Sequence, residues 1–259
     1  MEAAGTHDVS VTLDESTHVG TVEMLRGPNN FFDVAVLAAV ADGVDSLIGR
    51  GARSIVLCSA GKNFCAGADF GEKRNDASAT GGVHVYDIAS RLFGSTVPLV
   101  AAVQGSAIGG GLGLAMAADF RVGSPLTRMS ANFALLGFHH GFALSVTLPR
   151  VVGEQRAAEL LLTGRRIDGV TAHAIGALDY IVDDSSLRSQ AFGLAEEMAR
   201  CAPLAVASIR ETLRGDLVER AVRAMAHERS EQERLQQTAD FAEGIRAVSE
   251  RRRGVFRGQ

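Results

Sequence analysis

Gly105-Ser106-Ala107-Ile108-Gly109-Gly110-Gly111-Leu112-Gly113 is the stretch on which the reading of this chain turns. One apolar run, Pro98 to Val103, precedes it, and another, Leu114 to Ala118, follows. The pattern is that of a strand feeding a helix through a glycine-rich turn. Glycine permits a sharp change of direction and lets a ligand approach bare backbone. The first N–H groups of a helix lack partners within it and sit at the positive end of its dipole. Such a turn suits negative charge. Spacing excludes three glycine motifs. A dinucleotide fingerprint needs glycine where Leu114 stands, and it needs to lie early in the chain. A phosphate loop needs Lys-Ser or Lys-Thr after its last glycine, and a nucleophile elbow needs Gly-x-Ser-x-Gly; this stretch has neither. An oxyanion-binding turn and a plain strand–helix packing turn remain, evenly matched on this stretch alone.

A second stretch favours the oxyanion. Ser59-Ala60-Gly61-Lys62-Asn63-Phe64-Cys65-Ala66-Gly67-Ala68-Asp69 also follows an apolar strand-like run, Ser54 to Cys58. Two strand-to-loop junctions of a parallel sheet can converge at one sheet edge. Two backbone N–H groups aimed at one carbonyl oxygen make an oxyanion hole.

Outward from these motifs, Val9, Val11 and Leu13 alternate as in a strand, and Val19 to Leu25 follows as another. Gly27-Pro28-Asn29-Asn30 reads as a turn. Asp33 caps a helix to about Ile48, with Val36, Leu37, Val40, Val44 and Leu47 on one face. Residues 81–93 read as helix, Leu99–Val103 as strand, and the region near Asp119–Val122 as another strand. Further helices are expected over Glu154–Leu162, Asp168–Ala174, Leu187–Arg200, Pro203–Arg214 and about Leu217–Gln237. Strands alternating with helices predict an α/β fold with largely parallel pairing. The expected organisation is an α/β core over residues 1–184 and a helical region over 185–259.

The 259 residues are 46% apolar, enough for one large core. A net charge of −4, with both signs interspersed, gives no basic stripe for nucleic acid. No apolar run approaches 18 residues and Met1–Ser10 holds no apolar signal, so neither membrane nor export is expected and the cytoplasm is the default. Cys58, Cys65 and Cys201 are odd in number and lack metal-ligand spacing; each is expected to be a reduced, small buried hydrophobe.

In motif order the chain resembles the crotonase (enoyl-CoA hydratase/isomerase) superfamily. The matching residues are Gly61-Lys62-x-Phe64-Cys65-Ala66-Gly67-Ala68-Asp69, Pro98-Leu99-Val100-Ala101-Ala102-Val103-Gln104-Gly105 and Ala107-Ile108-Gly109-Gly110-Gly111. Leu160-Leu161-Leu162-Thr163-Gly164-Arg165, Ala172-x-x-x-Gly176-x-x-Asp179-x-Ile181-Val182, Asp240-Phe241-x-Glu243-Gly244 and Glu250-Arg251-Arg252 follow. The resemblance implies a crotonase-like ββα superhelix core and a helical C-terminal region that joins a homotrimer or a dimer of trimers. It implies an acyl-CoA thioester as substrate, with coenzyme A entering only as part of that substrate and no metal or organic cofactor. It makes the Ala68 and Gly110 amides the oxyanion donors, with Ala66 and Gly109 beside them. Arg26 is expected near the CoA phosphates, and Arg251 and Arg252 where a neighbouring subunit reaches the nucleotide. Phe133, Phe138 and Phe142 are expected either to line the acyl pocket or to belong to the core. Asp69 is placed beside the substrate, where it is more suited to fixing its loop than to catalysis.

The chain departs from the pattern at the side chains that do chemistry. The two glutamates of family hydratases fall, by position, on Gly113 and Phe133. Adding water across a double bond needs a base and an acid, and neither residue is one. His139 and His140, in Phe138-His139-His140-Gly141, are the expected replacements, either being suited to proton transfer at the acyl α-carbon or a bound water. His84 is a second candidate. The expected activity is thioester-enolate stabilisation within the hydratase/isomerase group. Isomerisation, decarboxylation, or thioester or carbon–carbon hydrolysis are the alternatives, and a non-catalytic acyl-CoA binder is the rival of another class.

Overall fold

Alternating valines start the fold. In the computed structural model, which describes residues 8–68 and 82–259, β1 (Val9–Asp14) buries Val9 and Val11 and pairs antiparallel with β2 (Val19–Met24). Asp33 then opens α1 (Val34–Gly49): its Oδ1 accepts the Val36 N–H at 2.9 Å, satisfying a donor that the helix leaves free. The predicted stripe Val36, Leu37, Val40, Val44 and Leu47 is buried. There follow β3 (Ser54–Ser59), α2 (Val85–Phe93), β4 (Leu99–Val103), β5 (Ser106–Ile108), α3 (Gly110–Ala117), β6 (Phe120–Gly123) and β7 (Arg128–Ser130). A 3-10 turn (Asn132–Leu136) leads to α4 (Leu144–Val152), α5 (Glu154–Thr163), β8 (Arg166–Asp168), α6 (Gly169–Ala174) and β9 (Tyr180–Ile181). Four helices end the chain: α7 (Leu187–Ala199), α8 (Pro203–Arg214), α9 (Leu217–Leu235) and α10 (Ala239–Ser249).

The main sheet has six strands in the order β1-β2-β3-β4-β6-β9, parallel apart from the β1–β2 pair. A second sheet holds β5-β7-β8. Parallel strands buried on both faces lose the polar alternation of a surface strand. Accordingly, Ile55 and Leu57 of β3 join the core on one side with α1, whereas Val56 and Cys58 join Leu187, Ala191, Leu194 and Ala195 of α7 on the other. The α7 helix, grouped by sequence with the helical region after residue 184, thus covers one face of the sheet. The α9 helix packs on α2 and α4, and α10 packs on the Asn132–Leu136 turn.

Several local expectations change. The stretch Gly105–Gly113 is not one turn: it divides into Gly105 (φ +57°), strand β5, a second positive-φ residue, Gly109 (φ +56°), and the first turn of α3. Glycine is needed inside α3 for close approach. A Cβ built on Gly111 stands 2.1 Å from the Cys65 carbonyl oxygen, and one on Gly113 stands 2.4 Å from the Phe142 Cβ. Helix α4 went unread because Pro149 interrupts its pattern, and β5, β7, β8 and β9 are too short to show a period. Cys58 and Cys65 are buried, and burial pushes both thiols up to about 12. Cys201 contradicts the expectation of burial: it is exposed at the junction of α7 and α8. Among the described residues no helix is long and apolar enough to cross a membrane.

These contacts predict opposite effects for two glycine-to-alanine changes. Gly111→Ala pushes a methyl into backbone and should cost about 1–3 kcal/mol. Gly193→Ala, inside α7 with open space around its Cβ, should add about 0.5–1 kcal/mol through helix propensity. Thermal denaturation of the two variants reads both signs.

Candidate active site

The loop after β3 is held in place by side chains before it carries any chemistry. Ser59 Oγ donates to the Phe64 carbonyl at 2.6 Å, and Asn30 Nδ2 donates to the Ala60 and Asn63 carbonyls, each at 2.7 Å. Backbone bonds then dock the loop on the glycine stretch. Cys65 N–H donates to the Ser106 carbonyl and Ile108 N–H donates to the Cys65 carbonyl, both at 3.0 Å. On the loop's far edge Phe32 N–H donates to the Gly67 carbonyl at 3.0 Å. Gly67, at φ +102°, lies so close to α3 that a Cβ built on it stands 3.7 Å from the Gly110 nitrogen.

Ala68 and Gly110 both line a cavity of about 650 Å³. Among the described residues neither amide donates to another group. Ala66, Gly109, Phe133 and Phe138 line the same cavity. Phe142 lines it too, and its ring also fills the space beside Gly113. Asp69 lies outside the described residues.

Three other expected site residues stand elsewhere. Arg26 does not line the cavity; its Nη1 lies 3.0 Å from Asp33 and its Nε 3.9 Å from Asp8, so it braces the residue that caps α1. His139 and His140 also stand off the cavity lining. Phe142 and Ala143 adopt positive φ (+59° and +56°), and this bend leaves the Phe142 ring on the cavity while the histidines pack against α9. Gln232 separates them from the cavity, donating to the His139 carbonyl at 2.8 Å and accepting from the Tyr86 hydroxyl at 2.8 Å. His140 Nε2 lies 3.6 Å from Glu228 Oε1, beyond hydrogen-bond distance. Glu228 accepts instead from the Ala143 N–H at 2.8 Å and the Ser145 hydroxyl at 2.7 Å, while burial pushes its carboxyl above the usual range. Arg252 is tied to Glu243 and Glu250.

The histidine that does reach the cavity wall is His84. It caps α2, with Nδ1 accepting the Tyr86 N–H at 3.2 Å while Asp87 accepts the His84 N–H at 3.0 Å. That bond leaves the neutral ring's proton on Nε2. Burial first, and then Arg229, hold its pKa below the ordinary histidine value. The sequence signal for this position was an aspartate three residues on, the reciprocal cap of a helix start. Tyr86, Arg229, Gln232 and Glu233 also line the cavity. They come from α2 and α9, segments far apart in the chain, so no local pattern announced them.

The family model for enoyl-CoA hydratase/isomerase matches residues 14–259. The chain belongs to the enoyl-CoA hydratase/isomerase family. As an enzyme of this family it is 30% identical over 257 residues to a protein of Bacillus subtilis named "Probable enoyl-CoA hydratase", covering 97% of this chain and 99% of that one. An enoyl-CoA isomerase/hydratase of Mycosarcoma maydis is 30% identical over 211 residues, covering 80% of this chain and 77% of the relative. The crystal structure of an enoyl-CoA hydratase/isomerase from Pseudoalteromonas atlantica superposes with a TM-score of 0.86 at 27% identity, covering 96% of this chain and all of that one. This family member keeps the crotonase fold while presenting glycine at 113 and a phenyl ring at 133.

The half-buried His140 gives a pH prediction. Burial, with His139 and His227 nearby, holds the His140 pKa down to about 4, against an ordinary value of 6.5. Between those two values the unfolded chain binds a proton at residue 140 that the folded chain does not. Stability should therefore fall as pH is lowered from 6.5 towards 4, with His140 supplying about 3 kcal/mol of the loss. Denaturant melts across this range should show a shallower slope for His140→Asn than for the wild type.

Proposed function

We propose that this family member binds an acyl-CoA thioester with its carbonyl oxygen between the Ala68 and Gly110 amides, and stabilises the enolate that forms there. One observation carries the reading: two amides without acceptors among the described residues share the wall of one cavity. An enolate concentrates charge on the oxygen such donors meet, and each donor contributes about 3–4 kcal/mol to the transition state. The N-terminal end of α3 adds a favourable dipole at Gly110.

Two-glutamate hydration is disfavoured by what occupies the corresponding positions. The space beside Gly113 is filled by Phe142, and residue 133 contributes a phenyl ring. The carboxylate lining the cavity, among the described residues, is Glu233, which is 62% exposed and ion-paired with Arg229 at 2.8 Å. Decarboxylation of a malonyl-type thioester suits such a site better. The bond from Cα to the carboxylate breaks, its electron pair enters the Cα–carbonyl bond, carbon dioxide leaves, and the charge settles on the thioester oxygen. No strong base is required. Cα then takes up a proton, and His84 is the side chain we assign to that transfer. The exposed apolar residues Leu204, Ile209 and Leu213 of α8 fit the homotrimer or dimer of trimers that the superfamily resemblance implies.

Incubation with malonyl-type, 3-enoyl- and crotonyl-CoA, with products read by mass, tests the reading. Loss of carbon dioxide from the malonyl-type thioester without hydration of crotonyl-CoA is expected. Rapid hydration of crotonyl-CoA with the malonyl-type thioester untouched overturns it, and tight binding of every thioester without turnover replaces it with a non-catalytic binder. Ala68→Pro removes one donor while the Phe32-to-Gly67 bond stays available, and should lower turnover by about 10²–10³-fold. His84→Ala should lower it by about 10²-fold or more. If instead only the His139→Ala, His140→Ala double variant is impaired, the proton assignment is wrong.

A further inference from the structure

Aromatic residues are scarce in this chain, with twelve phenylalanines, two tyrosines and no tryptophan. Half of them line one cavity: Phe31, Phe32, Phe133, Phe138, Phe142 and Phe241, together with Tyr86. They come from segments between residues 31 and 241, so the concentration is a property of the fold.

Their position relative to the paired amides says which part of a ligand they would meet. A Cβ built on Gly110 stands 2.6 Å from the Phe32 Cζ, and one built on Gly109 stands 3.7 Å from the Phe133 Cζ. The rings therefore border the point where a thioester carbonyl would sit, and what lies next to that carbonyl is the acyl group. From Phe133 the aromatic surface continues to Phe138 (centroids 5.5 Å apart, planes at 56°) and on to Phe241 of α10 (5.2 Å, 65°). On the other side Phe32 meets Phe142 edge-to-face at 5.9 Å. Leu136, Ile245 and Val248 complete the apolar lining. Rings set edge to face present both faces and edges, the two surfaces to which another aromatic ring docks. A flexible alkyl chain gains contact area here but no such complementarity, and it loses more rotamer freedom on binding.

Resting on the acyl-CoA reading above, we infer that the acyl group this enzyme selects carries an aromatic ring. Phe133 and Phe241 act as specificity residues for that ring. The cavity has the size range of small-molecule sites and is apolar apart from a few polar groups that orient the ligand.

Calorimetric titration of the full chain with acetyl-CoA, octanoyl-CoA and phenylacetyl-CoA tests this. The last two share a carbon count and differ in the ring. Phenylacetyl-CoA should bind at least tenfold more tightly than octanoyl-CoA. Phe133→Leu and Phe241→Leu should each cut that ratio to threefold or less. Equal or tighter binding of octanoyl-CoA overturns the inference while the thioester reading stands. Failure of all three thioesters to bind removes the thioester reading, and this one with it.

Discussion

The bonds between the loop after β3 and strand β5 are the constraint on which the rest of this molecule depends. Cys65 exchanges backbone bonds with Ser106 and Ile108, and Gly67 is pressed against the start of α3. Asn63 adds a side-chain bond, its Oδ1 accepting the Ser106 N–H at 3.0 Å, and at α3 no side chain would fit: the carbonyl of Cys65 sits 2.1 Å from where Gly111 would place a Cβ. Two segments about forty residues apart thus bring Ala68 and Gly110 to one cavity, chiefly through main-chain bonds. Such an arrangement is pre-organised, because backbone dipoles fixed by a ladder need not reorient as charge develops.

Packing around this junction explains why the core is built as it is. Strands β3 and β4 send alternate residues to two apolar clusters on opposite faces, one shared with α1 and the other covered by α7. The strands stay rigid, so the loops leaving them begin from fixed points. The cavity itself is closed by a different set of elements, α2, α9 and α10 and the Asn132–Leu136 turn. The frame that orients the amides and the walls that surround a ligand are therefore separate parts of the fold.

That separation decides what could be read from sequence. The frame was legible: Asp33 and the stripe from Val36 to Leu47 marked α1, and the apolar runs at 54–58 and 99–103 marked the strands. The glycine stretch pointed correctly to a strand–helix junction, but β5 was hidden in it because three residues show no period. The walls were much less legible. Tyr86, Arg229, Gln232 and Phe241 reach one cavity from segments that share no local pattern. The histidine pair shows the same difficulty. His139 follows a residue that does line the cavity, yet the left-handed bend at Phe142 and Ala143 leaves the pair against α9. Alanine and phenylalanine rarely adopt that conformation, so nothing in the sequence signals it. His84, by contrast, reaches the cavity from a helix cap.

Gly113 and Phe142 occupy a single volume between them, one supplying backbone and the other a ring. Their substitution histories are consequently linked. A Cβ at 113 would stand 2.4 Å from the Cβ of residue 142, so a larger residue at 113 needs the backbone near 142 to shift as well as the ring to shrink, and a reduction at 142 alone opens a void beside α3. Any route by which descendants of this chain acquire an acidic side chain at 113 must pass through paired changes, with a less well-packed intermediate between them.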